Sequence, residues 1–232
     1  MNKLGYAIGR IRALEAGMLS TSHFIRMADA KDFESAFFVL TETSYSEHID
    51  RLSKPFNFGE LVDMELDFVK SFLSDMAPDS ETLKAMLKKF DFPYPTLADY
   101  MKILENATVK SNVLLFTKYV EAFAALQTLL LQAETENLNL EEVSGRIRYK
   151  DYFHPVEKSI NSKNLFVFEK EIDDHLLTIV QKAKYMAFGI EPLIGFLIGK
   201  EMETKNIKLI LTAKLLGLET GDIKIRLRKS YV

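Results

Sequence analysis

Apolar residues in this chain recur at intervals of three and four, and no stretch sustains the apolar–polar alternation that a half-buried strand requires. That periodicity constrains the fold more than any other feature. Only 10 glycines and 6 prolines serve 232 residues, and most sit where helix punctuation belongs. With leucine, alanine, lysine and glutamate plentiful, the expectation is an all-α, multi-helix chain.

The periodic segments can be followed in order. A first helix runs over residues 4–19, with Ile8, Ile11, Leu14 and Met18 on one stripe and Arg10, Arg12 and Glu15 off it. Ser20 to Ser22 stop it and offer an N-cap for a short helix, HFIRMADA. Another short helix lies in DFESAFFVL, followed by a polar junction, TETSYSEHID. Asn57 with Glu60 has capping-box spacing at the head of a longer helix. Pro78 and Asp79 end that helix, and ETLKAMLKKF resumes. DFPYP (91–95) cannot be helical throughout, and Thr96 caps the helix after it. Residues 110–134 are apolar nearly all round, which predicts a central buried helix, with residues 164–188 as its companion. Between them Asn139 and Glu142 repeat the capping-box spacing and SGRIRYKDYFHP reads as loop. Pro192 opens the last long helix, Gly217 closes it, and a short helix begins in GDIKIRLRKSY. The expected organisation is a single domain over 1–232. A faint echo between 121–134 and 202–214 suggests pseudo-repeat units near 1–135 and 136–232.

Composition removes whole classes of function. A formal net charge of -3 argues against a nucleic-acid partner. The absence of cysteine excludes disulfides, thiolate metal sites and a cysteine nucleophile. The opening MNKLGYAIGRIRAL has no long apolar core and no small-residue cleavage site, so no secretory leader is expected. No stretch reaches the roughly 18 uncharged apolar residues of a membrane span. A cytosolic chain, or one facing the cytosol, is the expectation. His23, His48, His154 and His175 are scattered without metal-ligand spacing, so no metal site is expected. Asp173 and Asp174, adjacent on a helix, read as a solvated face rather than an acid pair. There is no phosphate-cradling glycine loop and no Gly-x-Ser-x-Gly elbow. Catalytic residues, cofactor and small-molecule substrate are therefore all expected to be absent.

One stretch remains to be explained. FLIGKEMETKNIKLILTAKLLGL (196–218) sets Glu201, Glu203, Lys205, Asn206 and Lys208 inside a strongly apolar helix signal, with Lys214 a turn or two later. An exposed helix with i,i+4 pairs such as Glu201–Lys205 is one account. A polar network buried between packed helices is the other. Asn206 stands beside Ile207 and one turn before Ile210, which favours an internal place for it, while Glu201 and Lys205 fall on the side expected to be exposed.

Several of these residues form a recognisable pattern. The chain opens with Tyr6, then Arg10 and Arg12 ahead of a leucine-rich helix, then a turn running from Leu40 through Thr43 to Tyr45. Its late helix carries Glu203, Asn206, Ile207, Lys208, Ile210 and Lys214, followed by Asp222 and Ile223 and a Tyr-Val end. This resembles the C subunit of the V/A-type rotary ATPases, called the d subunit in the eukaryotic enzyme. The resemblance implies a shortened form of that family's funnel of three related helical units. It implies a non-catalytic adaptor, peripheral on the cytosolic face of the membrane, that couples the central-stalk D and F subunits to the membrane rotor ring. Arg10, Arg12, Glu201, Glu203, Lys205, Asn206, Lys208 and Lys214 are then structural or interface candidates. The reading from the residues alone leaves a second class open, a free-standing helical interaction or scaffold module.

Overall fold

A computed structural model of the chain describes residues 3–91, 93, 95–135 and 165–232. Among them there is no strand. The helices are α1 (Lys3–Ala16), α2 (Thr21–Asp29), α3 (Phe33–Phe38), α4 (Ser46–Ile49), α5 (Phe58–Met76), α6 (Glu81–Leu87), α7 (Leu97–Lys110), α8 (Leu114–Thr135), α9 (Leu165–Val180), α10 (Glu191–Leu215) and α11 (Thr220–Arg226). Short 3-10 turns follow α3, α6 and α9, and the chain ends in a non-helical tail after Arg226.

Polar caps explain several boundaries. Asn57 Oδ1 accepts the Glu60 N–H at 3.2 Å at the head of α5. Thr96 Oγ1 accepts the Asp99 N–H at 3.1 Å at the head of α7. Each satisfies one of the donors that a helix start leaves open. The reciprocal half of the Asn57–Glu60 box is not made, because Glu60 turns its carboxylate to the Ser53 hydroxyl at 2.6 Å. Pro192 occupies the first turn of α10. At its far end Gly217 takes φ 68, a left-handed conformation, and the Leu218 N–H returns to the Ala213 carbonyl at 3.0 Å. The box expected at Asn139 and Glu142, and the loop 144–155 with His154, lie outside the described residues.

The central helix differs from the expectation. Residues 110–134 are not the buried axis: α8 leaves Leu114 and Leu131 exposed and buries one face, with Phe116, Tyr119, Val120 and Ala122, against α7 and α9. Among the described residues α8 is the one helix long and apolar enough to cross a membrane by length and composition, with mean hydropathy 1.4 over Leu114–Leu131. Lys118 and Glu121 fall within that window. The axis is α10, in which every residue from Pro192 to Thr204 is buried. That stretch is enclosed all round, which is why the charged residues within it cannot be sorted onto a wet face.

Two apolar clusters flank this axis. The larger joins α1, the second half of α5, α6 to α9 and the Leu193–Met202 half of α10. The smaller joins α2, α3, the start of α5 and Ile207, Ile210 and Leu211 of α10. Only α5 and α10 contribute long stretches to both.

Candidate functional site

The polar residues of α10 lie where the two apolar clusters meet. Lys200 Nζ reaches Glu65 Oε1 of α5 at 2.7 Å and Glu203 Oε1 at 2.8 Å, with all three side chains almost fully enclosed. Tyr45 donates its hydroxyl to Glu203 Oε1 at 2.9 Å, and the Leu19 N–H donates to Glu203 Oε2 at 2.5 Å. His48 Nε2 lies 2.9 Å from Glu65 Oε2. Lys200 also stands 5.3 Å from the Tyr45 ring centroid. A cavity of about 390 Å³ opens beside the cluster, between Ser44, His48, Arg51, Glu65, Phe196 and Lys200.

The charges hold one another in place. Burial lowers the Lys200 pKa, but the Glu203 and Glu65 carboxylates outweigh it, and the net direction is upward. Burial raises that of Glu65, and the His48 hydrogen bond with the Lys200 charge carries it below the ordinary value. Tyr45 is pushed up by its burial first, then by Glu203 and Glu65, so it remains a neutral donor. Buried charges satisfied in this way fix helix register, since any shift leaves one uncompensated.

A second set of bonds straps the C-terminal tail across α9 and α10. Asn206, fully buried, donates Nδ2 to the Arg228 carbonyl at 3.0 Å and accepts the Arg228 N–H on Oδ1 at 2.9 Å. Asp173 accepts from Lys205 at 2.7 Å and from Arg228 Nε at 3.0 Å. Asp174 accepts from Lys170 at 2.7 Å and from the Lys229 N–H at 2.6 Å. Tyr231 then drops onto Gly195 and Gly199. A Cβ on Gly199 would stand 2.6 Å from Tyr231 Cγ, and one on Gly195 would stand 2.6 Å from its hydroxyl. The Tyr231 hydroxyl donates to Glu15 at 3.1 Å, and Glu15 pairs with Arg12 at 2.6 Å. Arg12 in turn donates to the carbonyls of Ala183 and Met186 at 2.9 and 2.8 Å.

The candidates from the sequence separate accordingly. Arg12, Glu203 and Asn206 join this internal network. Glu201 and Lys205 are not an exposed pair: Lys205 is exposed as expected and reaches Asp173 of α9, but Glu201 is buried against Lys89. Asp173 and Asp174 are not a solvated face but are 2% and 3% exposed. Lys214 donates to the Ala30 carbonyl at 2.5 Å, closing the end of α2. Arg10 is exposed, bonds the Tyr6 hydroxyl at 3.1 Å and overlies the Phe72 ring. Lys208 is exposed, 3.6 Å from Asp63. Sequence reasoning passed over Lys200, Glu65, Tyr45 and Arg228 as site residues. Lys200 and Glu203 stand at helical i,i+3 spacing, the local signal that could have raised the pair. Among the described residues no group of three histidine, aspartate or glutamate side chains could hold a metal ion.

The family model for the ATP synthase (C/AC39) subunit matches residues 99–226, from the first turn of α7 to the end of α11. The chain belongs to this family. The C/AC39 match takes in Lys200, Glu203, Asn206 and Asp173, while their partners Glu65, Tyr45 and Arg228 fall outside it. Among its relatives, the A-type ATP synthase C subunit of Methanocaldococcus jannaschii is 22% identical over 94% of this chain and 56% of its own length. That of Pyrococcus furiosus is 25% identical over 96% of this chain and 59% of its own. The V-type sodium ATPase C subunit of Enterococcus hirae is 34% identical over 83 residues, 35% of this chain and 25% of its own. This C/AC39 chain thus spans between half and two thirds of the two A-type relatives.

Proposed function

We propose that this chain is a non-catalytic adaptor of a V/A-type rotary ATPase, coupling the central-stalk D and F subunits to the membrane rotor ring on the cytosolic face. The observation that carries the reading is the C/AC39 family match over residues 99–226. The relatives' names include both an ATP synthase and a sodium ATPase, and the reading extends to proton- or sodium-translocating complexes. The α10 network supports it physically. Its buried charges are engaged with internal partners, an arrangement suited to stiffness rather than to proton transfer. An element that passes torque between two partners needs that stiffness.

The test is capture of the purified D–F stalk pair by the immobilised chain, together with an ATP turnover assay on the chain alone. Saturable capture without turnover is the expected result. Failure to retain the stalk pair, or ATP hydrolysis abolished by changing one carboxylate of this chain, would overturn the reading.

A further inference from the structure

Among the described residues, the second half of α10 keeps one face exposed, at Lys205, Lys208 and Thr212. Lys208, Leu209, Thr212 and Leu216, at spacings of one, three and four, form one wall of a groove of about 350 Å³. Leu218 and Arg226 contribute the other side. Leu216 is 71% exposed, while Leu209 and Leu218 are half-buried at the floor. With those two beside it, Leu216 gives the groove a continuous apolar floor.

Charge gives the groove its sign. Arg228 and Lys205 also line it, but they are held by Glu169 and Asp173 at 2.7 to 3.0 Å. Among the described residues Lys208 pairs with the exposed Asp63 at 3.6 Å, a contact that water and salt screen. Arg226 lies over the Phe166 ring at 4.9 Å. Among the described residues Glu169 is the one carboxylate lining the groove, and it faces Arg228. Lys208 and Arg226 therefore offer cationic charge beside an apolar floor, from two different helices.

We infer that this groove docks an acidic amphipathic helix of a neighbouring protein. Leucine-type side chains of such a helix fill the space between Leu209 and Leu216, and its carboxylates meet Lys208 and Arg226. A basic helix of the same apolar content meets those cations as like charges and is disfavoured. That the partner is the stalk pair rests on the adaptor reading above; the chemistry of the groove does not.

The experiment uses the full chain and two designed helical peptides with identical leucine positions, one bearing glutamates and the other lysines on its polar face. Binding is followed by fluorescence anisotropy of the labelled peptides at low and high salt. The glutamate peptide should bind at least about tenfold more tightly, with the difference shrinking as salt rises. Lys208→Glu should remove the preference, and Leu216→Asp should weaken both peptides about tenfold. Leu216 is exposed, so a thermal melt equal to wild type verifies that this variant folds. No binding, equal binding of the two peptides, or no effect of Leu216→Asp overturns the inference. In a second arm, Leu216→Asp should lower capture of the D–F pair about tenfold, and unchanged capture overturns the groove as its seat. If the wild-type chain prefers the glutamate peptide yet captures no stalk pair, the groove stands and the adaptor reading falls.

Discussion

Asn206 makes two bonds to one backbone unit, so its replacement is the sharpest single-residue test of the buried network. Asn206→Leu leaves the Arg228 N–H and carbonyl without their partner, each costing about 1–3 kcal/mol where water cannot enter. A clear drop in the thermal midpoint is expected, and an unchanged melt refutes the internal role. Lys200 is a stronger case, because its loss leaves the buried carboxylates of Glu65 and Glu203 without the cation they share. Lys200→Met should destabilise by about 3–5 kcal/mol, the range for breaking a buried pair from one side. The pH dependence follows from the directions of the shifts. Glu65 sits below its ordinary 4.5, so its contribution is present above that value and is lost as pH falls through the folded pKa. Lys200 sits above its ordinary 10.5, so its contribution is full below that value and is lost as pH rises through the folded pKa. Denaturant midpoints measured from neutrality downward should therefore fall in acid for the wild type. In Lys200→Met that acid limb should become shallower, since Glu65 then keeps its His48 bond but loses the Lys200 charge; an equally steep limb would argue against the pairing.

At the next scale, the non-helical tail after Arg226 lies on α10. Gly195 and Gly199 are required by the approach of Tyr231, not by backbone conformation. Gly199→Ala forces the Tyr231 ring outward and breaks its line to Glu15 and Arg12. A destabilisation of about 1–3 kcal/mol is expected from overpacking, and Tyr231→Ala in the same chain should recover part of it. A double-mutant cycle with no coupling between the two sites would refute the contact. Helix positions were legible in the sequence because capping and breaking are local: Asn57, Thr96, Pro192 and Gly217 act where they stand. Burial was not legible, because it depends on neighbours far along the chain. Residues 110–134 have the more apolar composition, yet α10 is the enclosed axis, since α5 and α9 bring Glu65 and Asp173 to its charges. The exposed reading of Asp173, Asp174 and Glu201 failed for that reason. Each is buried against a distant partner: Asp173 against Lys205, 32 residues away, Glu201 against Lys89, and Asp174 against the Lys229 N–H, 55 residues away.

At the scale of the molecule, the ionic cluster forms a waist between two apolar bodies. Val69, Phe72 and Leu73 of α5 enter the larger body and Leu61 and Val62 the smaller, with Glu65 between them. Along α10, Leu193 to Met202 enter the larger body and Ile207 to Ala213 the smaller, with the network residues around the junction. Two continuous helices crossing the waist, tied there by Lys200, should make the bodies unfold together rather than in turn. The test is a pair of core truncations on the same helix, Leu61→Ala in the smaller body and Leu73→Ala in the larger, both fully buried. Each should cost about 2–5 kcal/mol. In a single cooperative domain each lowers the midpoint of one common transition, whose calorimetric and van't Hoff enthalpies agree. If the bodies are separate units, the scan resolves two transitions and each substitution moves only its own. The common transition is expected, and Lys200→Met, which loosens the waist, should be the variant in which the two enthalpies begin to part.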